Sequence, residues 1–82
     1  GTTTDVNSGV KSSGLVTDKA GKPVVGAIVT VKGTPVGTIT DMDGRFVLYA
    51  PKKSRLVVSY IDMQTTEVKA ASEMLIRLKS EK

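Results

Sequence analysis

Few side chains in this 82-residue chain could do chemistry, and their spacing limits what they could do. Asp41 and Asp43 are the closest carboxylate pair. A calcium loop of the form D-x-[DN]-x-[DN]-G needs more acidic positions, a later glycine and a distal glutamate. Here Gly44 follows Asp43 directly and ligands are too few. The pair therefore reads as turn chemistry, with aspartate folding its carboxylate onto nearby backbone N–H groups. Ser12, Ser13, Ser54, Ser59, Ser72 and Ser80 have no histidine to activate them, because the chain has none. A Lys–Asn isopeptide crosslink would need an asparagine in the folded body, and Asn7 near the N-terminus is the only one. No glycine-rich phosphate loop and no glycosidase-like carboxylate pair can be placed.

Composition points the same way. Cysteine, histidine and tryptophan are all missing. That removes disulfides, thiolate nucleophiles and the usual zinc or iron–sulfur ligand sets. It also removes the commonest general base. No metal or organic cofactor is expected. Twelve Lys+Arg against eight Asp+Glu give +4. The only basic cluster is Lys52-Lys53-Ser54-Arg55, read as a solvated loop. Nucleic acid would demand a larger basic face with stacking aromatics. No run approaches the roughly 20 apolar residues of a membrane helix. No charged-then-apolar leader opens the chain. Gly1 in place of methionine suggests a processed or engineered start, from which a leader would have been removed. The composition suits one small soluble β-domain without an active site, with stability of roughly 4–12 kcal/mol.

The elements follow from pattern. Residues 1–10 are rich in Thr, Ser and Gly and read as a flexible tail. Seven strand-length runs follow, near 11–17, 27–33, 36–41, 45–50, 55–61, 64–69 and 74–79. Their spacing, with turns between them, is that of a sandwich or barrel. Residues 80–82 are left as a C-terminal tail. Asp18 to Gly21 and Asp41 to Gly44 share the form D-x-x-G, with aspartate at the first position and a glycine free to take positive φ at the fourth. Pro23 and Pro51 sit at run edges, where a missing N–H is harmless. The best helical candidate, 67–76, is short and broken by Ser72, so it reads as strand, loop and strand.

Alternation sets the faces. Val29/Val31, Phe46/Leu48, Leu56/Val58/Tyr60 and Met74/Ile76/Leu78 each line one face, with Val16 and Val68 able to join them as core. The opposite faces are less polar than a free-standing domain needs. Leu15, Ile28, Val47, Tyr49, Val57, Ile61 and Leu75 should point outward. Two explanations stay open: cover by loops or the tail, or a sheet face that docks on a neighbour. The candidate docking stripe is Leu15, Ile28, Val47, Tyr49, Val57 and Leu75. Tyr49 is the one aromatic expected to face outward.

A series of short motifs carries a family resemblance. It runs through Gly14-Leu15-Val16-Thr17-Asp18, Gly21-Lys22-Pro23-Val24, Gly26-Ala27, and Val29-Thr30-Val31-Lys32-Gly33-Thr34. It continues through Gly37-Thr38-Ile39-Thr40-Asp41, Asp43-Gly44-Arg45-Phe46 and Val58-Ser59-Tyr60-Ile61. Over residues 11–79 the chain resembles the carboxypeptidase-regulatory-like domain, in the version found at the N-terminus of SusC-type TonB-dependent outer-membrane transporters of Bacteroidetes. The resemblance implies a seven-stranded, transthyretin-like Greek-key β-sandwich, an exported domain in the periplasm or at the outer membrane, and no catalysis. It implies close backbone approach or bends at Gly14, Gly26 and Gly37, turn hydrogen bonds at Thr40 and Asp41, and a core anchor at Phe46.

There are two departures. The family usually continues after Ser59-Tyr60-Ile61 with glycine and an aromatic, where this chain has Asp62 and Met63. A positive-φ turn would be lost or shifted there. The chain also ends without the acidic-apolar segment of a TonB box. The expected role is a non-catalytic accessory domain that docks on a neighbouring domain of its parent protein or on an envelope protein. It does not insert into the membrane or bind nucleic acid. The alternatives are a module of a secreted or surface protein for adhesion or glycan handling, or a regulatory-like domain beside a peptidase. Glycan binding by this domain alone is disfavoured, because convergent polar groups around an apolar platform are missing.

Overall fold

A computed structural model describes residues 9–81. Seven strands run in chain order: β1 (Gly9–Thr17), β2 (Ile28–Val31), β3 (Gly37–Ile39), β4 (Arg45–Pro51), β5 (Arg55–Ser59), β6 (Thr66–Lys69) and β7 (Met74–Arg77). They form a three-stranded sheet ordered β4-β1-β7 and a four-stranded sheet ordered β3-β2-β5-β6. Every pairing is antiparallel except β1 with β7, which is parallel. The architecture is the expected transthyretin-like β-sandwich. Residues 67–76 are indeed strand, loop and strand.

The termini of the body differ from expectation. Residues 1–8 of the expected tail lie outside the described residues, but Gly9 and Val10 already pair with Pro51 and Ala50 in β1. At the other end Ser80 bridges Met63, and the Glu81 N–H donates to the Asp62 carbonyl at 3.2 Å.

Alternation places the core between the sheets. Val16, Val29, Val31, Phe46, Leu48, Leu56, Val58, Ile76 and Leu78 are buried as their spacing requires. Met74 and Val68 are half-buried against them. Val24, Ala27 and Ala50 are core as well. The first two lie in the loop before β2, where no period-2 pattern marks them. Tyr60 is the correction: β5 ends at Ser59, alternation stops there, and Tyr60 is 36% exposed at the start of a turn. Its carbonyl accepts from the Met63 N–H at 3.1 Å. The glycine that the family pattern wanted after this strand is not needed. Asp62 itself takes φ 63°, and aspartate tolerates the left-handed region better than most residues.

Candidate functional site

The two D-x-x-G segments are the same device built twice. The Asp18 carboxylate accepts from the N–H groups of Ala20 and Lys22, both at 2.9 Å. The Asp41 carboxylate accepts from Asp43 and Arg45, again both at 2.9 Å. In each loop the backbone closes the ends as well: Asp18 N–H to Lys22 carbonyl at 2.8 Å, and Asp41 N–H to Arg45 carbonyl at 2.9 Å. Gly21 (φ 90°) and Gly44 (φ 76°) supply the left-handed residue of a type I turn with its bulge. Asp43 is exposed and contributes its N–H to the turn. One oxygen of Asp41 is thus already shared between two backbone donors. Among the described residues, no group of three or more acidic, His or Cys side chains gathers in metal-binding geometry.

The loops differ in surroundings. A Cβ on Gly21 would meet nothing within 4 Å, whereas one on Gly44 would lie 2.8 Å from the Val16 carbonyl and 2.9 Å from Pro23 Cβ. Gly44 is where the second loop packs on the first. Gly14 is a close approach of another kind. A Cβ there would lie 2.8 Å from the Met74 carbonyl and 2.9 Å from the Phe46 ring, so its absence lets β7 and Phe46 close on β1.

Thr40 has a role larger than a turn contact. It is 3% exposed. Its Oγ1 accepts from the Ala27 N–H at 2.9 Å and donates to the Val24 carbonyl at 2.6 Å. The hydroxyl holds the 24–27 loop against the end of β3.

The outward apolar residues are not one stripe. Leu15, Val47, Tyr49 and Leu75 lie on the outer face of the β4-β1-β7 sheet, with Leu15 directly opposite Leu75 in register. Ile28 and Val57 lie on the outer face of the other sheet, pointing the opposite way. Leu15 and Val57 are half-buried, and the other four are exposed. On the first face the apolar group is ringed by Lys11, opposite Tyr49, by Arg45, opposite Leu15, and by Arg77. A shallow groove there is lined by Gly14, Leu15, Arg45, Glu73, Met74 and Leu75. On the second face, sequence reasoning passed over Ile39, which sits opposite Ile28, and placed Tyr60 in the core. Tyr49 is therefore not the sole exposed aromatic. Strand alternation does mark Ile39, two residues from Gly37 on a short strand.

The second face also carries the one charged network among the described residues. Lys32 Nζ lies 3.0 Å from Glu67, and the Arg55 guanidinium pairs with the other oxygen of the same carboxylate. The hydrogen bonds from Lys32 and then Arg55 hold the Glu67 carboxyl below its ordinary value. Arg55 thus leaves the basic cluster for an ion pair, while Lys52 and Lys53 remain exposed in the β4–β5 turn.

Comparison with known proteins agrees with this construction. The family model of the CarboxypepD_reg-like domain matches residues 12–82. The chain is 48% identical over 68 residues to the TonB-dependent receptor SusC of Bacteroides thetaiotaomicron, covering 83% of this chain and 7% of that protein. It is 38% identical over 78 residues to the TonB-dependent receptor P39 of Formosa agariphila, covering 94% of this chain and 8% of that protein. The chain thus spans less than a tenth of either relative's length. With seven strands in the expected sandwich and a family match over nearly the whole body, this chain belongs to the CarboxypepD_reg-like domain family.

Proposed function

We propose that this domain is the N-terminal periplasmic accessory domain of a SusC-like TonB-dependent receptor, and that it works by docking instead of catalysis. The observation that carries this reading is the 48% identity to a TonB-dependent receptor over 68 residues, 83% of this chain. Transport of a nutrient such as a glycan would belong to the rest of the receptor. The outer face of the β4-β1-β7 sheet supports docking. It presents Leu15, Val47, Tyr49 and Leu75 together, with Lys11, Arg45 and Arg77 and the acid Glu73 around them. A clustered apolar patch with a charged rim is the composition of an interaction surface.

The test is site-specific photo-crosslinking in the intact receptor in its own envelope. A crosslinker at Leu75 captures a neighbouring receptor domain or a periplasmic protein, while one at the exposed tip residue Lys19 does not. Equal capture from both positions, or none from either, overturns the docking reading. A parent gene that encodes a peptidase or a surface anchor, with no plug and barrel, overturns the receptor assignment.

A further inference from the structure

Four strands bound the two sheets, and their free edges are not equivalent. The hydrogen-bond phase shows which backbone groups each edge leaves open. In the β1–β4 ladder the Val16 N–H donates to the Gly44 carbonyl at 2.8 Å. In an antiparallel ladder bonded pairs alternate. Phe46, Leu48 and Ala50 therefore turn their N–H and C=O groups toward β1, and Val47 and Tyr49 turn theirs away from the sheet. Arg45 is already closed by Asp41. Pro51 has no N–H, and its carbonyl accepts from Ser54. The open window is therefore Val47 and Tyr49, two donors and two acceptors in a row. Among the described residues no backbone partner lies on that side.

Proteins usually guard such edges with charge, brevity or irregularity. The β6 edge is guarded by Glu67 and Lys69, and β7 carries Arg77. The β3 edge is three residues long and begins at Gly37. The β4 edge has seven residues and no charge inside its window. Its window side chains are large, apolar and exposed, Val47 at 50% and Tyr49 at 62%.

We propose that the β4 edge takes an acidic extended peptide segment of a partner protein as an added strand, paired to the backbone of Val47 and Tyr49. This rests on the docking reading and names its geometry. The charge follows from what surrounds the window. Arg45 precedes the window on the outer face, Lys11 sits behind it on β1 opposite Tyr49, and Lys52 and Lys53 lie just beyond Pro51, against the exposed acid Asp43 in the preceding turn. Backbone pairing supplies the affinity and the side chains next to the window supply the selectivity. A second copy of the chain is disfavoured by the same charges. Antiparallel β4–β4 pairing about Leu48 would set Arg45 of one copy opposite Pro51 of the other, next to Lys52 and Lys53, and like charges across an interface repel.

The test uses amide hydrogen exchange and chemical shifts on the 82-residue chain with short capped peptides. One peptide alternates valine with glutamate, one alternates valine with lysine, and one is the glutamate peptide N-methylated at alternate residues. The acidic peptide should slow exchange at Val47 and Tyr49 by about tenfold or more, leaving the amides of Leu75, Arg77, Glu67 and Ile39 unchanged. The lysine and N-methylated peptides should leave the exchange of Val47 and Tyr49 unchanged. Val47→Pro removes one outward donor without touching the β1 ladder, so it should keep native shift dispersion and weaken binding about tenfold. No protection at millimolar acidic peptide, protection at another edge, or equal binding of the lysine peptide overturns the proposal. So does concentration-dependent protection of Val47 and Tyr49 without peptide, which would mean a β4–β4 dimer. Each of these results leaves the crosslinking test of docking unaffected, so the two ideas fail separately.

Discussion

Thr40→Val changes one hydroxyl into a methyl and nearly preserves shape. A hydrophobicity argument alone would rank it neutral or stabilising, since Thr40 is only 3% exposed. The hydrogen bonds say otherwise. Losing Oγ1 strands the Ala27 N–H, whose residue is fully buried, and the Val24 carbonyl. A buried polar group left without a partner costs about 1–3 kcal/mol. The added methyl returns about 0.8 kcal/mol. With two groups stranded, the net loss should be about 1–5 kcal/mol, centred on about 3 kcal/mol, a large share of the roughly 4–12 kcal/mol available to a chain of this length. In a domain of this size that lowers Tm by about 10–25 °C. Thr40→Ser is the control. It keeps the hydroxyl and loses one buried methyl, for about 1 kcal/mol. Urea unfolding followed by circular dichroism gives both numbers from one series. The expected order of damage is Val over Ser, the reverse of the hydrophobic order. If Thr40→Val loses less than about 0.5 kcal/mol, or Ser is the worse of the two, the hydroxyl does not hold the 24–27 loop.

The turn glycines and the Glu67 ion pairs respond to substitution in separable ways. Gly21→Ala and Gly44→Ala both force alanine to positive φ, costing about 1–2 kcal/mol each. Gly44→Ala also drives a Cβ into the Val16 carbonyl and Pro23, so in denaturant titration its loss should clearly exceed that of Gly21→Ala; equal losses would deny the packing of one loop on the other. For Glu67 the folded pKa lies below its ordinary value of 4.5. Its ion pairs therefore stabilise the fold above the unfolded pKa, and that contribution is lost as pH falls through the folded value. The group is exposed, so the effect should be small and should shrink with salt. Glu67→Gln should flatten the decline of the urea midpoint between about pH 5 and pH 3 at low salt; an unchanged decline would place the acid sensitivity elsewhere.

Strand positions and turn chemistry are local, which is why the sequence carried them. A period of two identifies the inward residues within a regular strand, as with Phe46 and Leu48 in β4. A D-x-x-G loop closes within four residues by contacts that aspartate and glycine bring themselves, so Asp18 and Asp41 behave alike despite different surroundings. The local pattern failed where strands stop. Tyr60 keeps the alternation of β5 in sequence, but the chain has already turned.

Only the tertiary structure decided the relations between strands. Alternation tells which side of its own strand a residue faces, not which sheet that strand joins. For that reason Leu15 and Leu75 meet while Ile28 and Val57 point away from them. The composition, with no histidine and no cysteine, is silent on Thr40, a common residue whose hydroxyl matters because Val24 and Ala27 are folded onto it. It is equally silent on the β4 edge. An open edge is a property of pairing, set by which neighbour each strand lacks, and no segment read alone contains it.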